Sequence, residues 1–268
     1  MRLYILTKRN LVSIGFCLLI GVLAGAIAIT STVKAVQTAS TPREIPIYYV
    51  DTDKKQVALS FDAAWGNEQT TTLLDILDKY KIKSTFFLVG DWVDNFPDSV
   101  QEIAKRGHDV ENHSNTHPHM TELSTSDMTG QIQACNEKIK KLTNKTPTLF
   151  RAPYGDYNND VVKSVKGCSM YCVQWDVDSL DWKDPTPEQI TKNVVKKLKN
   201  GSIILMHNGA TNTPEALPMV IEGIKAEGYE IIPISQILLK GEYFTDVEGK
   251  MCSLVSTTFA TQPTGATQ

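Results

Sequence analysis

The chain has 268 residues, of which 41% are hydrophobic and 21% charged, an ordinary composition for a globular protein with a sizeable core. Its formal net charge of −3 and isoelectric point near 6.0 argue against a general nucleic-acid binder, because such proteins normally present a basic surface. Five scattered cysteines are too few for a disulfide-stapled scaffold.

The N-terminal segment predicts export. Lys8 and Arg9 precede an apolar run over residues 11–29, about the length that crosses ~30 Å of hydrocarbon. The positive charges would stay on the cytoplasmic side, so the rest of the chain is expected outside the cell membrane. A signal peptide cleaved near Ala35, giving a secreted protein, is the alternative. The predicted divisions are an anchor or signal peptide over residues 1–35 and a linker over residues 36–50.

Short apolar runs then alternate with amphipathic stretches over residues 51–240. The apolar runs predict buried strands at 57–61, 84–89, 108–110, 148–150, 170–173, 202–206 and 229–232. The amphipathic stretches predict helices at 70–80, 97–106, 126–142, 159–166, 187–198 and 214–227. This regular alternation implies an α/β fold with a parallel sheet, and seven units indicate a closed or nearly closed barrel. The remainder, residues 241–268, is predicted to be a flexible tail.

Polar residues follow five of the predicted strands. In such barrels the chemistry gathers at the carboxyl ends of the strands, so these residues are expected to share one face. They are Asp62, residues 111–117, Arg151, residues 176–181 and His207.

His113 and His117 are candidate metal ligands. Two neutral imidazoles with a carboxylate make the usual three-ligand catalytic zinc site, which leaves one position open for water. Their four-residue spacing would let both rings point the same way on one helical turn. Taken alone, the pair is equally typical of a surface histidine cluster.

An acid and a base are expected beside this pair. Asp62 directly follows an apolar run and suits a general base, although an Asp here could instead cap the next helix. His207 follows another strand and is the candidate general acid, with a satisfied core histidine as the alternative. Arg151 is expected to pair with Asp62, and Asp181 with His207; each could equally be a structural salt bridge.

Five motifs, taken together and in order, resemble those of carbohydrate esterase family 4, the polysaccharide deacetylases with the NodB homology domain. They are Ser60-Phe61-Asp62, His113-Ser114-Asn115-Thr116-His117, Arg151-Ala152-Pro153-Tyr154, Asp178-Ser179-Leu180-Asp181-Trp182 and Leu205-Met206-His207. The resemblance runs from about Gln56 to Leu239. The form Phe61-Asp62-Ala63-Ala64-Trp65-Gly66 looks most like the sporulation-associated, PdaB-like subgroup.

The resemblance implies a distorted (β/α)7 barrel that removes acetyl groups from N-acetylglucosamine or N-acetylmuramic acid units. It implies a base at Asp62, an acid at His207, and metal ligands at His113 and His117. Arg151 and Asp181 would tune the base and the acid. Tyr154 would offer its backbone N–H to the oxyanion, and Trp182 and Leu205 would line the acetyl pocket.

One position departs from the family pattern. The family usually has a second aspartate directly after the base, and that residue is the carboxylate ligand of a divalent metal, here expected to be zinc, with cobalt an alternative. In this chain the position is Ala63. Asp62 itself, Glu68 or additional water could fill the gap, and the sequence does not choose among them.

The leading hypothesis is therefore an exported N-deacetylase of an amino-sugar polymer, expected to act as a monomer without nucleic acid. The polymer could be peptidoglycan or chitin-like, and export behind a single anchor favours the organism's own wall. A second hypothesis, prompted by Ala63, is a catalytically weak glycan-binding protein. A third is a glycoside hydrolase that pairs Asp62 with one of three further carboxylates, Asp176, Asp178 or Asp181.

Overall fold

The computed structural model describes Val22 and residues 43–254. The chain divides into two compact units, Met1–Arg43 and Glu44–Gln268, and every element below lies in the second. Apart from Val22, the predicted anchor or signal segment lies outside the described residues. Within the residues that are described, no helix is both long and apolar enough to cross a bilayer.

Parallel strands form a curved central sheet. In chain order the strands of the molecule are β1 (Tyr49–Val50), β2 (Gln56–Ala63), β3 (Thr85–Leu88), β4 (Asp109–Asn112), β5 (Leu149–Phe150), β6 (Tyr171–Cys172), β7 (Val177–Asp178), β8 (Ile203–His207), β9 (Glu230–Ile232), β10 (Tyr243–Thr245) and β11 (Lys250–Ser253). The central sheet has the order β6-β5-β4-β3-β2-β8-β7, with β9 paired to β2. All seven predicted strands are present. Strand β7 was not predicted, because its one apolar residue, Val177, lies between two aspartates.

Helices cover the outside of this sheet, except the last, whose Ile234 and Ile237 pack with Ala58 and Phe87 on the inner face. They are α1 (Thr70–Lys79), α2 (Gly90–Asn95), α3 (Pro97–Lys105), α4 (Thr125–Thr143), α5 (Asn159–Gly167), α6 (Pro187–Val195), α7 (Thr213–Ala226) and α8 (Ile234–Ile237). The six predicted helices are confirmed to within three residues at each end. Thr186 begins α6 with a capping box, in which its hydroxyl accepts from the Gln189 N–H and the Gln189 side chain accepts from the Thr186 N–H. The short α2 and α8 carry too few apolar repeats to be predicted.

Strand β2 lies at the centre of the sheet and separates two environments. Alternate side chains of a strand point to opposite faces. One set packs in the main core with residues of the covering helices: Val57, Leu59, Phe61 and Ala63. The other set faces the inside of the curved sheet, where Ala58 packs with Phe87 and Ile203 in a second core. Asp62 belongs to this inner set, and Ala63 belongs to the outer one.

The segment that contains β1 joins the end strand β6 to the residues just before β8. The Ile47 N–H donates to the Cys172 carbonyl at 2.8 Å, and the Gln174 N–H donates to the Ile47 carbonyl at 2.7 Å. On the other side, the Val50 N–H donates to the Gly201 carbonyl at 3.0 Å. The predicted barrel is therefore a curled parallel sheet whose gap is closed by a short strap, residues 47–50.

The C-terminal part of the chain differs from the prediction. Residues 243–253, assigned by sequence to a flexible tail, form the hairpin β10–β11, and β11 pairs in parallel with β1. Met251 is fully buried in the inner core. The sequence carries little local signal for this hairpin because its partner strand lies about 200 residues away. The predicted tail beyond residue 254 lies outside the described residues.

Candidate active site

Asp62 and Arg151 form a buried ion pair at the carboxyl ends of β2 and β5. Arg151 Nη1 donates to Asp62 Oδ1 at 2.6 Å, while Nη2 donates to Ser60 Oγ at 2.9 Å and to the Gln174 carbonyl at 3.2 Å. The guanidinium also lies 4.1 Å from the centre of the Phe87 ring. Burial raises the pKa of Asp62, but the adjacent cation outweighs it and the pKa is lowered. The carboxylate is thus ionised at neutral pH.

His207 and Asp181 form the second buried pair. His207 Nδ1 lies 2.7 Å from Asp181 Oδ1, and the His207 backbone N–H donates to Asp181 Oδ2 at 2.7 Å. The Thr213 hydroxyl donates to the same Oδ2 at 2.7 Å. Burial lowers the pKa of His207, but the hydrogen bond and charge of Asp181 outweigh it and the pKa is raised. The pairing therefore favours the imidazolium that a general acid needs.

The two pairs lie at one cavity. Asp62 and His207 are direct partners in the register between β2 and β8, so their side chains emerge at the same level of the sheet. The cavity has a volume of about 490 Å³, within the range of roughly 300–1,000 Å³ that is usual for small-molecule sites. Arg151 and Asp181 lie behind it, fully buried. It is lined by Asp62, Ala64, Trp65, His113, His117, Tyr154, Trp175, Asp178, Trp182, Leu205 and His207.

His113 follows β4 and is oriented by a backbone acceptor. Its Nδ1 lies 2.8 Å from the Arg151 carbonyl, so Nδ1 carries the proton and Nε2 keeps its lone pair. Nε2 is 3.5 Å from Asp62 Oδ2. Burial lowers the pKa of His113, which favours the neutral imidazole. This is the orientation and charge state that a metal-binding histidine requires.

His117 reaches the same cavity from a loop. The prediction of one helical turn is wrong, because Ser114 and His117 have φ of +69° and +58°. The Ser114 hydroxyl accepts from the His117 N–H at 3.0 Å and stabilises this irregular backbone. The two histidine rings nevertheless come within 5.0 Å, centre to centre. Burial lowers the pKa of His117 to about 4, so this imidazole is also neutral.

Tyr154 lies beside this loop in a short 3-10 turn, Pro153–Gly155, with φ of +61°. Its ring contacts His117 edge-on at 4.5 Å and stacks on His119 at 4.3 Å, between ring centres. A positive φ is uncommon for a residue with a large side chain and marks a constrained backbone. The turn brings Tyr154 to the lining of the cavity, and the use of its backbone N–H stays a prediction.

Comparisons with known proteins agree with this geometry. A family model described as polysaccharide deacetylase matches residues 49–173. A peptidoglycan-N-acetylglucosamine deacetylase of Bacillus cereus is 32% identical over 194 residues, which cover 70% of this chain and 91% of that protein. This chain belongs to the polysaccharide deacetylase family. The Bacillus subtilis peptidoglycan-N-acetylmuramic acid deacetylase PdaC is 35% identical over 188 residues, but the match covers only 40% of its length. The chain spans about half the length of several such relatives.

A solved structure is similar over most of the same region of the chain. It is a pseudoenzyme of carbohydrate esterase family 4 from Bacillus anthracis, 38% identical, with a TM-score of 0.70. The match covers 72% of this chain and 68% of that one. Another similar structure is that of a mutant of this pseudoenzyme, and the mutant is described as having restored enzymatic activity. The family therefore includes both active deacetylases and a protein that lacks activity.

Family membership supports a divalent metal as the expected cofactor, but the metal-binding side chains of this chain do not make up the usual site. His113 and His117 supply two imidazoles. Ala63, at the position of the usual carboxylate ligand, has no exposed surface and packs in the main core. Across the described part of the chain, no group of three or more His, Cys, Asp or Glu side chains is arranged to hold a metal ion. The residues present thus do not complete the three-ligand site.

Three side chains that line the cavity were not predicted as site residues. They are Ala64, Trp65 and Trp175. Asp178 also lines the cavity, and it was predicted only as a possible partner carboxylate of Asp62 in the glycoside hydrolase hypothesis. Ala64 and Trp65 belong to the motif Phe61-Asp62-Ala63-Ala64-Trp65-Gly66, but the resemblance assigned them no role. Trp175 has no such signal, because its place beside Arg151, 5.6 Å from ring centre to guanidinium, depends on the tertiary fold.

Proposed function

We propose that the chain removes N-acetyl groups from an amino-sugar polymer. One observation supports this proposal most directly: a candidate base and a candidate acid line the same cavity. Arg151 binds the base, Asp62, and Asp181 binds the acid, His207. A protein that only binds glycans has no need of both. Peptidoglycan is the proposed polymer, because two relatives are named as deacetylases of its N-acetylglucosamine and N-acetylmuramic acid units.

The proposed reaction is a hydrolysis that uses the chain's own groups for proton transfer. Asp62, ionised at neutral pH, takes a proton from a water molecule whose oxygen attacks the acetamide carbonyl carbon. The proposed role of the Tyr154 backbone N–H is to stabilise the oxyanion that this attack forms. The C–N bond then breaks, and His207 gives its proton to the leaving amine. The products are acetate and a free amino sugar.

The test is acetate release from peptidoglycan and from chito-oligosaccharides by the full-length protein. Asp62→Asn and His207→Gln should each lower the rate by roughly 10²- to 10⁴-fold, because each removes one proton-transfer group. Glu122→Gln, at an exposed position away from the cavity, is the control and should leave the rate unchanged. Release of reducing ends instead of acetate would support the glycoside hydrolase. Absence of acetate from every polymer would contradict the proposal.

A second candidate function is glycan binding with weak or no catalysis. The specific observation in its favour is the missing third metal ligand at Ala63, together with the similarity to the Bacillus anthracis pseudoenzyme. Ala63→Asp places a carboxylate at the last residue of β2, where the family usually has one, and this side chain must turn from the main core to the cavity to bind a metal. If the missing ligand limits the rate, this variant with added zinc should release acetate at least about tenfold faster than the wild type, a gain of about 1.4 kcal/mol in transition-state stabilisation.

Ala226→Asp is the matched control for that experiment, because it makes the same replacement at an exposed position of α7 that does not line the cavity. It should not raise the rate. A wild-type protein that binds the polymer, releases acetate rapidly and gains nothing from Ala63→Asp would reject the second candidate.

We also propose that the catalytic domain acts outside the cell membrane, on the evidence of the apolar N-terminal run and the wall-directed names of the relatives. Fusing alkaline phosphatase after residue 254 should give an active reporter, since this enzyme matures only in an oxidising compartment. An inactive reporter with normal expression would contradict the proposal. The PdaB-like subgroup, the sporulation role and the monomeric state stay predictions.

A further inference from the structure

Trp65 is a large aromatic side chain that the structure leaves partly in solvent. It lies in the loop between β2 and α1, and 44% of its surface is exposed. Its ring lines the cavity beside His207, with the two ring centres 5.0 Å apart and the planes tilted by 34°. A concave site lined mainly by apolar and aromatic side chains, with a few polar groups, is typical of ligand binding.

Contacts of the neighbouring backbone hold the loop that carries this ring in place. The next residue, Gly66, accepts a hydrogen bond from Trp92 Nε1 through its carbonyl at 2.7 Å, and Trp92 is buried. Behind the ring, Gly209 has no room for a side chain. A Cβ there would lie 2.3 Å from the Trp65 carbonyl oxygen and 2.7 Å from Trp65 Nε1. The loop after β8 thus fits closely against Trp65, which presents a pre-positioned face to the cavity.

Two more exposed aromatic rings line the same cavity. Trp182 is 49% exposed and Tyr154 is 62% exposed. A pyranose ring has an apolar face of C–H groups and an edge of hydroxyls, so it can stack on an aromatic face while its hydroxyls find polar partners. Asp178 lines the cavity as well, and its carboxylate is an acceptor for such hydroxyls.

We propose that Trp65 is a substrate-binding residue, which stacks one pyranose ring of the amino-sugar chain and holds it beside His207. The inference rests on the proposed function and deepens it by naming a residue that recognises the sugar. It applies equally to hydrolysis and to binding without hydrolysis, because stacking does not depend on the third metal ligand.

The experiment measures the binding of N-acetylchitotetraose to the full-length protein by isothermal titration calorimetry, in a detergent without a sugar headgroup. Trp65→Ala removes the stacking face, and Trp65→Phe restores a smaller ring. Phe244→Ala is the matched control, because Phe244 is also an exposed aromatic, 46% accessible, on the β10 strand away from the cavity. Thermal unfolding of each variant is followed by circular dichroism to verify folding.

The dissociation constant should rise at least about tenfold for Trp65→Ala, which is 1.4 kcal/mol of binding free energy. Trp65→Phe should bind within about threefold of the wild type, and Phe244→Ala should bind as the wild type does. Equal affinity of the wild type and a folded Trp65→Ala protein would overturn the role of Trp65 and leave the proposed function standing. A wild type that binds neither the tetraose nor peptidoglycan fragments would overturn both.

Discussion

At the scale of single residues, the site depends on charges that the fold keeps away from water. Asp181 has no exposed surface and accepts from the backbone N–H of His207, the ring of His207 and the hydroxyl of Thr213. Removing one partner of such a buried pair leaves the other charge buried and unpaired. This lowers the folding stability more than removing one partner of an exposed pair does. The pKa of His207 therefore depends on Asp181 as much as on the imidazole itself.

Replacing Asp181 by Asn should lower the pKa of His207, because the negative charge that outweighs burial is lost. The protonated acid then becomes scarcer at neutral pH, and the rate should fall by roughly 10²-fold or more. A histidine titration by NMR gives the pKa directly. Asp184→Asn, an exposed aspartate three residues later, is the control. An unchanged His207 titration in Asp181→Asn would contradict this account.

The same pair should make folding stability depend on pH. The folded-state pKa of His207 is raised above its ordinary value of 6.5. The stabilisation from its protonation is therefore fully present below pH 6.5 and is lost as the pH rises through the folded-state value. Asp181→Asn should remove this part of the dependence.

At the scale of secondary-structure elements, side chains provide some of the hydrogen bonds that short strands cannot make with each other. Strand β5 has two residues, and its register with β4 consists of the single pair Asn112 and Phe150. Glu111 on β4 adds two contacts, because its Oε2 accepts from the backbone N–H groups of Thr148 and Leu149 at 2.7 Å each. Such a bond between a side chain and a strand backbone has no sequence signature.

Glu111 should also make this junction sensitive to alkaline pH. Burial raises its pKa to about 8, so the folded protein keeps it protonated where the unfolded chain would ionise it near 4.5. Its contribution to stability is fully present below pH 4.5 and is lost as the pH rises to about 8. Glu111→Gln keeps an acceptor oxygen without the charge.

In thermal unfolding followed from pH 5 to pH 8, the wild type should lose more stability than Glu111→Gln. Each kcal/mol of difference appears as roughly 2–4 °C in Tm for a domain of this size. Glu122→Gln, on an exposed turn, should follow the wild type. Parallel pH curves for the wild type and Glu111→Gln would show that Glu111 does not ionise in this range.

At the scale of the whole molecule, the curled sheet depends on the strap over residues 47–50. Ile47 and Val50 are buried in the inner core with Met251 of β11, so the N-terminal strap and the C-terminal hairpin close the same gap. Closure requires a close approach at Gly201. Its φ is +80°, and a Cβ there would lie 1.8 Å from the Val50 carbonyl oxygen.

Gly201→Ala should therefore destabilise the fold by more than about 2 kcal/mol, because the strap must shift and the residue is strained at positive φ. Gly130→Ala is the matched control. Nothing lies within 4 Å of a Cβ at Gly130, which is inside α4, so this change should stabilise the protein by about 0.5–1 kcal/mol. Urea unfolding of both variants measures the difference. Equal stability of Gly201→Ala and the wild type would show that the strap does not constrain the fold.

The sequence by itself determined the α/β class, the seven predicted strands and the order in which the site residues arrive. These features rest on local signals: apolar runs, amphipathic stretches and polar residues directly after strands. The pairings of Asp62 with Arg151 and of His207 with Asp181 were also predictable, because parallel strands bring their carboxyl ends together. The absence of an aspartate at Ala63 was visible in the sequence as well.

Only the tertiary structure decided what surrounds these residues. The alternation of β2 buries Ala63 in the outer core, and the loop backbone rather than a helix brings His117 to His113. Trp65 reaches His207 and β1 reaches β11 across separations of about 140 and 200 residues. Contacts at that distance leave no periodic pattern in the chain, because they are selected by the packing of the complete sheet and not by their neighbours in sequence.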